Sequence, residues 1–493
     1  MNTSLRRSAA RVAVGLAAVA ASVSCASDTV AVPRTAALDL TPGASGDRVS
    51  VCHEPTAGGS ILSVSASALS AHLAHGDYVA TLLVSHATSP SDEGVSFRRI
   101  GDALAAARDS RLLHGELTSA ACRITIFVSA DTYRGTVLGE ASGDIERFPL
   151  IVDVPDITLR GALAMGLDDA GRATGVGTTA GETVLSPVEP LPVIARSSTP
   201  IVLANAHPGG AAGHGLVVEG FVFESGHDAT VDAGGQGVLS VRAERFVVRG
   251  NRFGTGFSES VDVRAGSGVV SQNYLGGIAG TGSCDICLAG PGSFMAVGNR
   301  LLAGGIPGIV ASGVVSLAVP AGVEPLAIPA TAETWAEIRN NEVRDHLRVP
   351  EGTGIRVDAV GTGAPNVHNT VHAIIQDNLV VNNRFGMLVH GGFPVIGTDR
   401  MSDVDVTYGS NVIRESCQAK LLVALARHQT VLGLNVSPFL LNSTFRIELG
   451  GDLGWSEAWF GHDAGYGNTL VVDGQTIANG NRQFYSASTC PGL

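Results

Sequence analysis

Two phrases, Phe246-Val-Val-Arg-Gly-Asn251-Arg-Phe and Gly268-Val-Val-Ser-Gln-Asn273-Tyr-Leu, stand 22 residues apart and govern the reading of the chain. In each, apolar and polar residues alternate as in a strand and then reach an asparagine. The phrase returns as Phe294-Met-Ala-Val-Gly-Asn299-Arg-Leu, Ala336-Glu-Ile-Arg-Asn-Asn341-Glu-Val, Ala373-Ile-Ile-Gln-Asp-Asn378-Leu-Val and Val404-Asp-Val-Thr-Tyr-Gly-Ser-Asn411-Val-Ile. A 22-residue spacing matches one three-strand coil, and the wider later gaps imply loop insertions. Asparagine suits a corner because it tolerates left-handed turns and its amide can bond to the asparagine of the next coil, building a ladder. The expected fold is all-β, a single-stranded right-handed parallel β-helix over residues 163–445.

A second phrase marks another strand of each coil: Gly237-Val-Leu-Ser-Val241, Ser260-Val-Asp-Val-Arg264, Gly308-Ile-Val-Ala-Ser312, Gly354-Ile-Arg-Val-Asp358 and Gly386-Met-Leu-Val-His390. Period-two alternation points Val261, Val263, Ile355, Val357, Met387 and Val389 inward. Stacking then aligns Asp262, Arg356 and Leu388 in one outward column, with Arg264, Ser312, Asp358 and His390 in the next. Composition agrees with many short strands: 63 glycines, 16% charged and 5% aromatic residues.

The segment before these coils carries a resemblance. Ser96-Phe-Arg-Arg-Ile100 with Ala103-Leu104 and Ala107 has helical spacing, and Arg123-Ile-Thr-Ile-Phe-Val128 then alternates as a strand. Asp131-Thr-Tyr133, Phe148-Pro-Leu150 and Ile157-Thr-Leu-Arg-Gly161 follow. Over residues 95–162 this order resembles the bacterial domain family of unknown function that opens many secreted β-helix proteins. The resemblance implies a β-helix with an N-terminal capping helix and no particular activity.

Toward the N-terminus, Arg6, Arg7 and Arg11 precede an uncharged apolar run, so residues 1–24 read as a signal peptide and the protein as extracellular or cell-surface. Ser22-Val-Ser-Cys25 resembles a bacterial lipobox, making Cys25 a lipidation site of an outer-membrane lipoprotein; cleavage after Ala26 is the alternative. Residues 25–47 read as a tether. Losing the first 24 residues removes three arginines and no acids, taking the net charge from −13 to −16. That balance excludes nucleic acid as the main partner and leaves membrane contact to the N-terminal lipid.

Residues 48–90 read as a small Cys/His module: Val51-Cys-His-Glu-Pro55, then His72-Leu-Ala-His75-Gly-Asp77. It resembles a short module of exported bacterial surface proteins, although the second cysteine usual after the Asp is absent here. Cys52, His53, His72, His75 and Asp77 form a candidate Zn²⁺ or Cu²⁺ ligand set, since thiolate and imidazole favour such metals. In the rival structural reading the histidines cap a helix end and Cys52 pairs with Cys122. Cys284-Asp-Ile-Cys287 has redox spacing but no βαβ context, and reads as a structural bridge. Residues 446–493 read as a C-terminal cap, which Cys417 and Cys490 would staple.

For chemistry, β-helix enzymes of the pectate-lyase and polygalacturonase type bind polysaccharide along one outward sheet, using carboxylates for Ca²⁺ or acid/base work. Asp262, Arg264, Arg356, Asp358 and His390 are the candidate catalytic stripe; a solvated face of alternating charge is the plain alternative. Trp455, Trp459 and Tyr466 are a candidate sugar-stacking platform or, alternatively, a hydrophobic cap. The expectation is a monomeric protein that binds or modifies extracellular or cell-wall polysaccharide, acting as a lyase, hydrolase or epimerase if it is an enzyme. The alternative is a non-enzymatic stalk or adhesin.

Overall fold

The computed structural model describes residues 48–477 apart from 54–58, 88–94, 114–121, 138, 179–180, 190–199, 206–213, 227–234, 277–283, 305–306, 314–329, 348–351, 360–366, 392–401, 418, 425–428, 432–433, 437–442, 451–457 and 462–467. The chain divides into two compact units, Met1–Asp47 and Arg48–Leu493. The stretches read from sequence as signal peptide and tether, with Cys25, fall in the first and lie outside the described residues.

The second unit is a parallel β-helix; the right-handed sense expected for it is the one that crossovers between parallel strands of one sheet adopt as a rule. Three sheets run along it. Sheet A stacks Leu150–Val152, Pro200–Asn205, Gln236–Val241, the first half of Glu259–Ser271, the first half of Ile286–Val297, Ile309–Ser312, Thr353–Asp358, Phe385–His390, Ala419–Ala424 and Ala458–Gly461. Sheet B begins with Thr81–Val84, Ile124–Val128 and Ile157–Arg160. It continues through Val217–Glu219, Phe246–Arg249, the second halves of the two long strands, Thr331–Arg339, His368–Gln376, Ser402–Gly409, Thr444–Glu448 and Thr469–Val472. Sheet C holds ten short strands, from Glu146–Arg147 to Val412–Arg414. Glu259–Ser271 passes from sheet A to sheet B at Gly266, with φ +104; a Cβ there would lie 2.1 Å from the Ala243 carbonyl, so only glycine turns this corner.

Alternation fills the interior as expected. Val238, Val261, Ile286, Ile309, Ile355, Met387 and Leu421 form one register column, and Val263, Leu288, Ala311, Val357, Val389 and Val423 the next; all are buried in a single core.

The ladder is continuous. Nδ2 of Asn251, Asn273, Asn299, Asn341 and Asn378 donates in turn to Oδ1 of the following asparagine, ending at Asn411, over 2.9–3.1 Å. The same oxygen also accepts the backbone N–H of the preceding asparagine, and the second amide hydrogen goes to a backbone carbonyl such as Val270 O, 2.9 Å from Asn299. One detail differs from expectation. The left-handed residue is the one before each asparagine: Gly250, Gln272, Gly298, Asn340, Asp377 and Ser410 all have positive φ. The preceding residue makes the turn, which leaves the asparagine itself inward-facing and free to bond.

At the N-terminal end, Arg48–His53 pairs antiparallel with Ser60–Ser65 and Tyr78–Val79. Thr81–Val84, expected within the small module, is already a strand of sheet B. Helix α1 spans Ala66–Ala74 and helix α2 Ile100–Leu113, the latter burying Ile100, Ala103, Leu104 and Ala107 as the capping helix. Backbone N–H groups of Ile100 and Gly101 donate to the Glu146 carboxylate. Burial pushes that carboxyl up to about 7, against the two N–H donors and Arg99. At the other end Gln475–Ile477 folds back antiparallel on Thr469–Val472.

Asn299→Ala removes one acceptor serving two buried donors, together with two donated bonds. The unfolding free energy should fall by about 3–5 kcal/mol in chemical denaturation, at ~1–3 kcal/mol per orphaned group; an unchanged midpoint would mean the ladder carries no stability. Glu146 gives a pH signature. Between its ordinary 4.5 and about 7 the folded chain holds a proton that the unfolded chain has lost. Stability is therefore fullest below the lower value and declines as pH rises through the upper one, by about 3 kcal/mol. Melting curves across that window should show the decline in the parent and a flatter profile in Glu146→Gln.

Candidate functional site

The outward columns of sheet A form in the expected register. Leu239, Asp262, Cys287, Val310, Arg356, Leu388 and Leu422 align in one, and Val241, Arg264, Ala289, Ser312, Asp358 and His390 in the other. The five candidates do not join into one stripe. Asp262 and Arg356 are three coils apart, roughly 14 Å at one strand spacing per coil. Between them lies a small apolar cluster of Cys284, Cys287 and Val310, with Cys284 and Cys287 disulfide-bonded.

Two separate ion-paired groups result. In the first, Arg264 Nε donates to Asp262 Oδ2 at 2.8 Å and Gln236 Nε2 to the same oxygen at 2.6 Å. Burial draws the Arg264 guanidinium down, but the charge and hydrogen bond of Asp262, with Glu259, outweigh it and hold its pKa raised. In the second, Arg356 Nε donates to Asp358 Oδ1 at 2.7 Å. His390 Nδ1 lies 3.3 Å from Arg356 Nη2 and 3.4 Å from Asp358 Oδ1; one neutral tautomer can accept from the first or donate to the second, never both. Burial works to raise the Asp358 carboxyl, yet Arg356 and His390 hold it below its ordinary value.

Asp262, Arg356, Asp358 and His390 are buried and Arg264 is only partly exposed, which corrects the expectation of a solvated face. Every residue of Gln236–Val241, Thr353–Asp358 and Phe385–His390 is buried, on both parities. Leu203, Leu239 and Val241 form a further apolar cluster separate from the main core. A polymer cannot lie on groups so covered, and each carboxylate already has an arginine. Among the described residues no group of three His, Cys, Asp or Glu ligand atoms forms around Asp262 or Asp358.

In the N-terminal module, Cys52 is disulfide-bonded to Cys122, which removes its thiolate from the metal set. His75 is exposed at the C-cap of α1 and stands outside the group that converges, namely His53, His72 and Asp77. Trp455 and Tyr466 lie outside the described residues. Trp459 occupies strand Ala458–Gly461, in register with Leu422. Cys417 is disulfide-bonded to a partner outside the described residues.

Sheet B offers a different surface. Along Thr331–Arg339 and His368–Gln376 burial alternates, so this sheet meets solvent. Trp335 is 48% exposed and stacks on His372, with ring centroids 4.0 Å apart and planes at 17°. His372 contacts Glu333 through Nε2 and Asp405 through Nδ1, each at 3.2 Å, which fixes the imidazole and with it the indole. His368 Nε2 contacts Asp403 Oδ2 at 3.1 Å, and Arg446 Nη1 contacts Asp405 at 3.2 Å. Since His372 belongs to the following coil, the other indole face looks toward the preceding one, where the register partner is the exposed Ser293. The sequence signal for this site was a large aromatic on the polar parity of a strand whose inward residues are Ala332, Thr334, Ala336 and Ile338.

No protein-family profile matches the chain, and no curated protein matches it in sequence. Similar solved structures include a tailspike protein of the Acinetobacter baumannii bacteriophage Fri1, described as a capsular polysaccharide depolymerase, at 11% identity and TM-score 0.30, spanning 83% of this chain and 66% of the tailspike. An A-module of an Azotobacter vinelandii mannuronan C-5 epimerase matches at 15% identity and TM-score 0.26, over 77% of this chain and 96% of the module. DFA-IIIase from Arthrobacter chlorophenolicus without its lid matches at 12% and 0.26, over 80% and 99%. These likenesses assign no substrate to this chain.

Asp358→Ala would leave Arg356 and His390 buried without their counter-charge. Loss of about 3–5 kcal/mol is expected in denaturant titration, and a change under roughly 1 kcal/mol would mean that water reaches the pair.

Proposed function

We propose that this is an exported polysaccharide-binding β-helix that lays a neutral glycan along the solvent face of sheet B. The reading rests on Trp335, a 48% exposed indole stacked on His372, with the exposed Ser293 as its register partner on the preceding coil. A rigid aromatic face with hydrogen-bonding groups beside it suits a sugar ring, which is apolar on its faces and polar at its rim. Glu333, Glu337, Asp403 and Asp405 outnumber Arg339 and Arg446, which pair with two of them, so the surroundings remain net acidic, which disfavours polyuronates and sulfated glycans and favours neutral sugars. Binding has more support than bond cleavage, because Asp262 is paired with Arg264, and Asp358 with Arg356 and His390, in two separate, largely covered groups.

Export is inferred from the N-terminal charge pattern, with lipid attachment at Cys25 or release after Ala26 as the two routes. The Cys52–Cys122 and Cys284–Cys287 disulfides support an oxidising compartment. The stalk reading is favoured by one observation, the burial of the Arg356–Asp358 ion pair with His390 on sheet A, where its partners are one another.

Affinity electrophoresis of the mature chain in gels containing mixed-linkage glucan, xylan, dextran or polygalacturonate separates the two readings. Retardation by at least one neutral polymer, weakened roughly 10- to 100-fold in Trp335→Ala, is expected. Migration unaffected by every polymer, or a variant retarded as strongly as the parent, would leave the stalk.

A further inference from the structure

The N-terminal module places two imidazoles and one carboxylate together by three independent devices. Antiparallel pairing sets Cys52 opposite Tyr78, so the next step of the ladder brings His53 beside Asp77. Helix α1 ends in a turn where His75 N–H donates to His72 O at 3.0 Å, and Asp77 N–H reaches the same carbonyl at 3.2 Å. Gly76 lies between them at φ +92, a backbone setting that a side chain disfavours, and its turn swings Asp77 back beneath the last helical residues. The strand carrying His53 is held in addition by the Cys52–Cys122 disulfide, which ties it to the chain two residues before strand Ile124–Val128 of sheet B.

The outcome is a convergence on one oxygen. Asp77 Oδ2 lies 2.9 Å from His53 Nδ1 and 2.6 Å from His72 Nδ1. The rings stand edge to face, 5.9 Å apart at 79°. One ligand atom from each of the three residues lies within 4.8 Å of the others. In hydrogen-bonded form this arrangement needs two N–H groups aimed at a single carboxylate oxygen. A divalent ion replaces both protons, and with metal–ligand bonds of about 2.0–2.2 Å around a tetrahedral ion the donor atoms would sit about 3.3 Å apart. The two separations to Asp77 Oδ2 need open by only several tenths of an ångström, and the imidazole ligand atoms already lie within 4.8 Å of each other. Asp77 is buried while both imidazoles reach solvent, which leaves the fourth position to water. Two nitrogens and one oxygen favour zinc over calcium, which takes six or more oxygens.

We propose that His53, His72 and Asp77 hold one divalent transition ion of the zinc type, with an open fourth position. Three protein ligands on separate segments make the ion a clamp between the first strand, the end of α1 and the turn after it.

The test uses the full mature chain without a histidine tag, stripped by chelator, incubated with zinc chloride, gel-filtered and analysed by elemental mass spectrometry. The parent should retain about one zinc per chain and the double variant His53→Ala, His72→Ala at least five-fold less, at unchanged circular dichroism and with the Cys52–Cys122 bridge intact. If that variant fails to fold, His72→Gln alone replaces it, its ring being partly solvated. A parent that takes up no zinc, or a folded variant that retains as much as the parent, would overturn the proposal.

Discussion

Everything in this molecule follows from how the corners are satisfied. A chain that turns three times per coil around an apolar interior buries backbone donors and acceptors at each turn, and an unmet one costs about as much as several well-packed methyl groups. The asparagine ladder answers with one side-chain type. From Asn273 to Asn411 each amide oxygen accepts two hydrogens from the preceding coil, and from Asn251 to Asn378 each amide nitrogen gives one to the next coil and one to a carbonyl. Because those bonds join coil to coil, they also set register. A one-residue slip would break the ladder and turn every strand inside out, so the columns on all three sheets are consequences of the corner.

Sheets A and B share that register and differ in what lies against them. On sheet A the outward parity is largely shut away from Gln236–Val241 to Phe385–His390, although Ile151 in the first strand is exposed, so charges that would be screened and weak at a surface become tightly paired groups that destabilise the fold when broken. On sheet B the same parity is open, and side chains there are held only by one another. His372 sits between Glu333 and Asp405 and supports Trp335. The difference in cover, more than any difference in sequence type, separates a stabilising column from a surface able to meet a ligand.

This explains which features were readable from the chain and which were not. Inward residues such as Val261 and Met387, the ladder asparagines, and the pairing of Asp358 with His390 in one column are local or strictly periodic properties, and alternation reports them directly. Burial of the outward parity is not such a property, because nothing within a strand states what will lie against it. The hairpin of Met165–Leu167 and Ala173–Gly177 was hidden for a related reason. It sits within the span read as regular coils, yet Asp168 meets Arg300 at 2.7 Å and Arg172 donates to the Asn340 carbonyl at 3.1 Å. Those contacts join residues more than a hundred positions apart, beyond the reach of any periodicity. Cys52 was ambiguous from sequence since thiolate ligand and disulfide partner look alike until the distance to Cys122 is known.

A solenoid carries a liability that a globular domain lacks: each coil has two neighbours except the first and last, where strand edges stand unpaired and ready to recruit other chains. Both ends here are treated by breaking the parallel pattern. At the C-terminal side Thr469–Val472, the last parallel strand of sheet B among the described residues, takes an antiparallel partner of three residues. At the N-terminal side α2 covers the core, its first N–H groups held by Glu146, and the disulfide fastens the antiparallel module across the first coil. The cross-link and the capping carboxylate are thus placed where nearest-neighbour stacking contributes least. The three-residue convergence of His53, His72 and Asp77 belongs to the same end, so a bound ion would tighten the part of the fold that coil stacking supports from one side only.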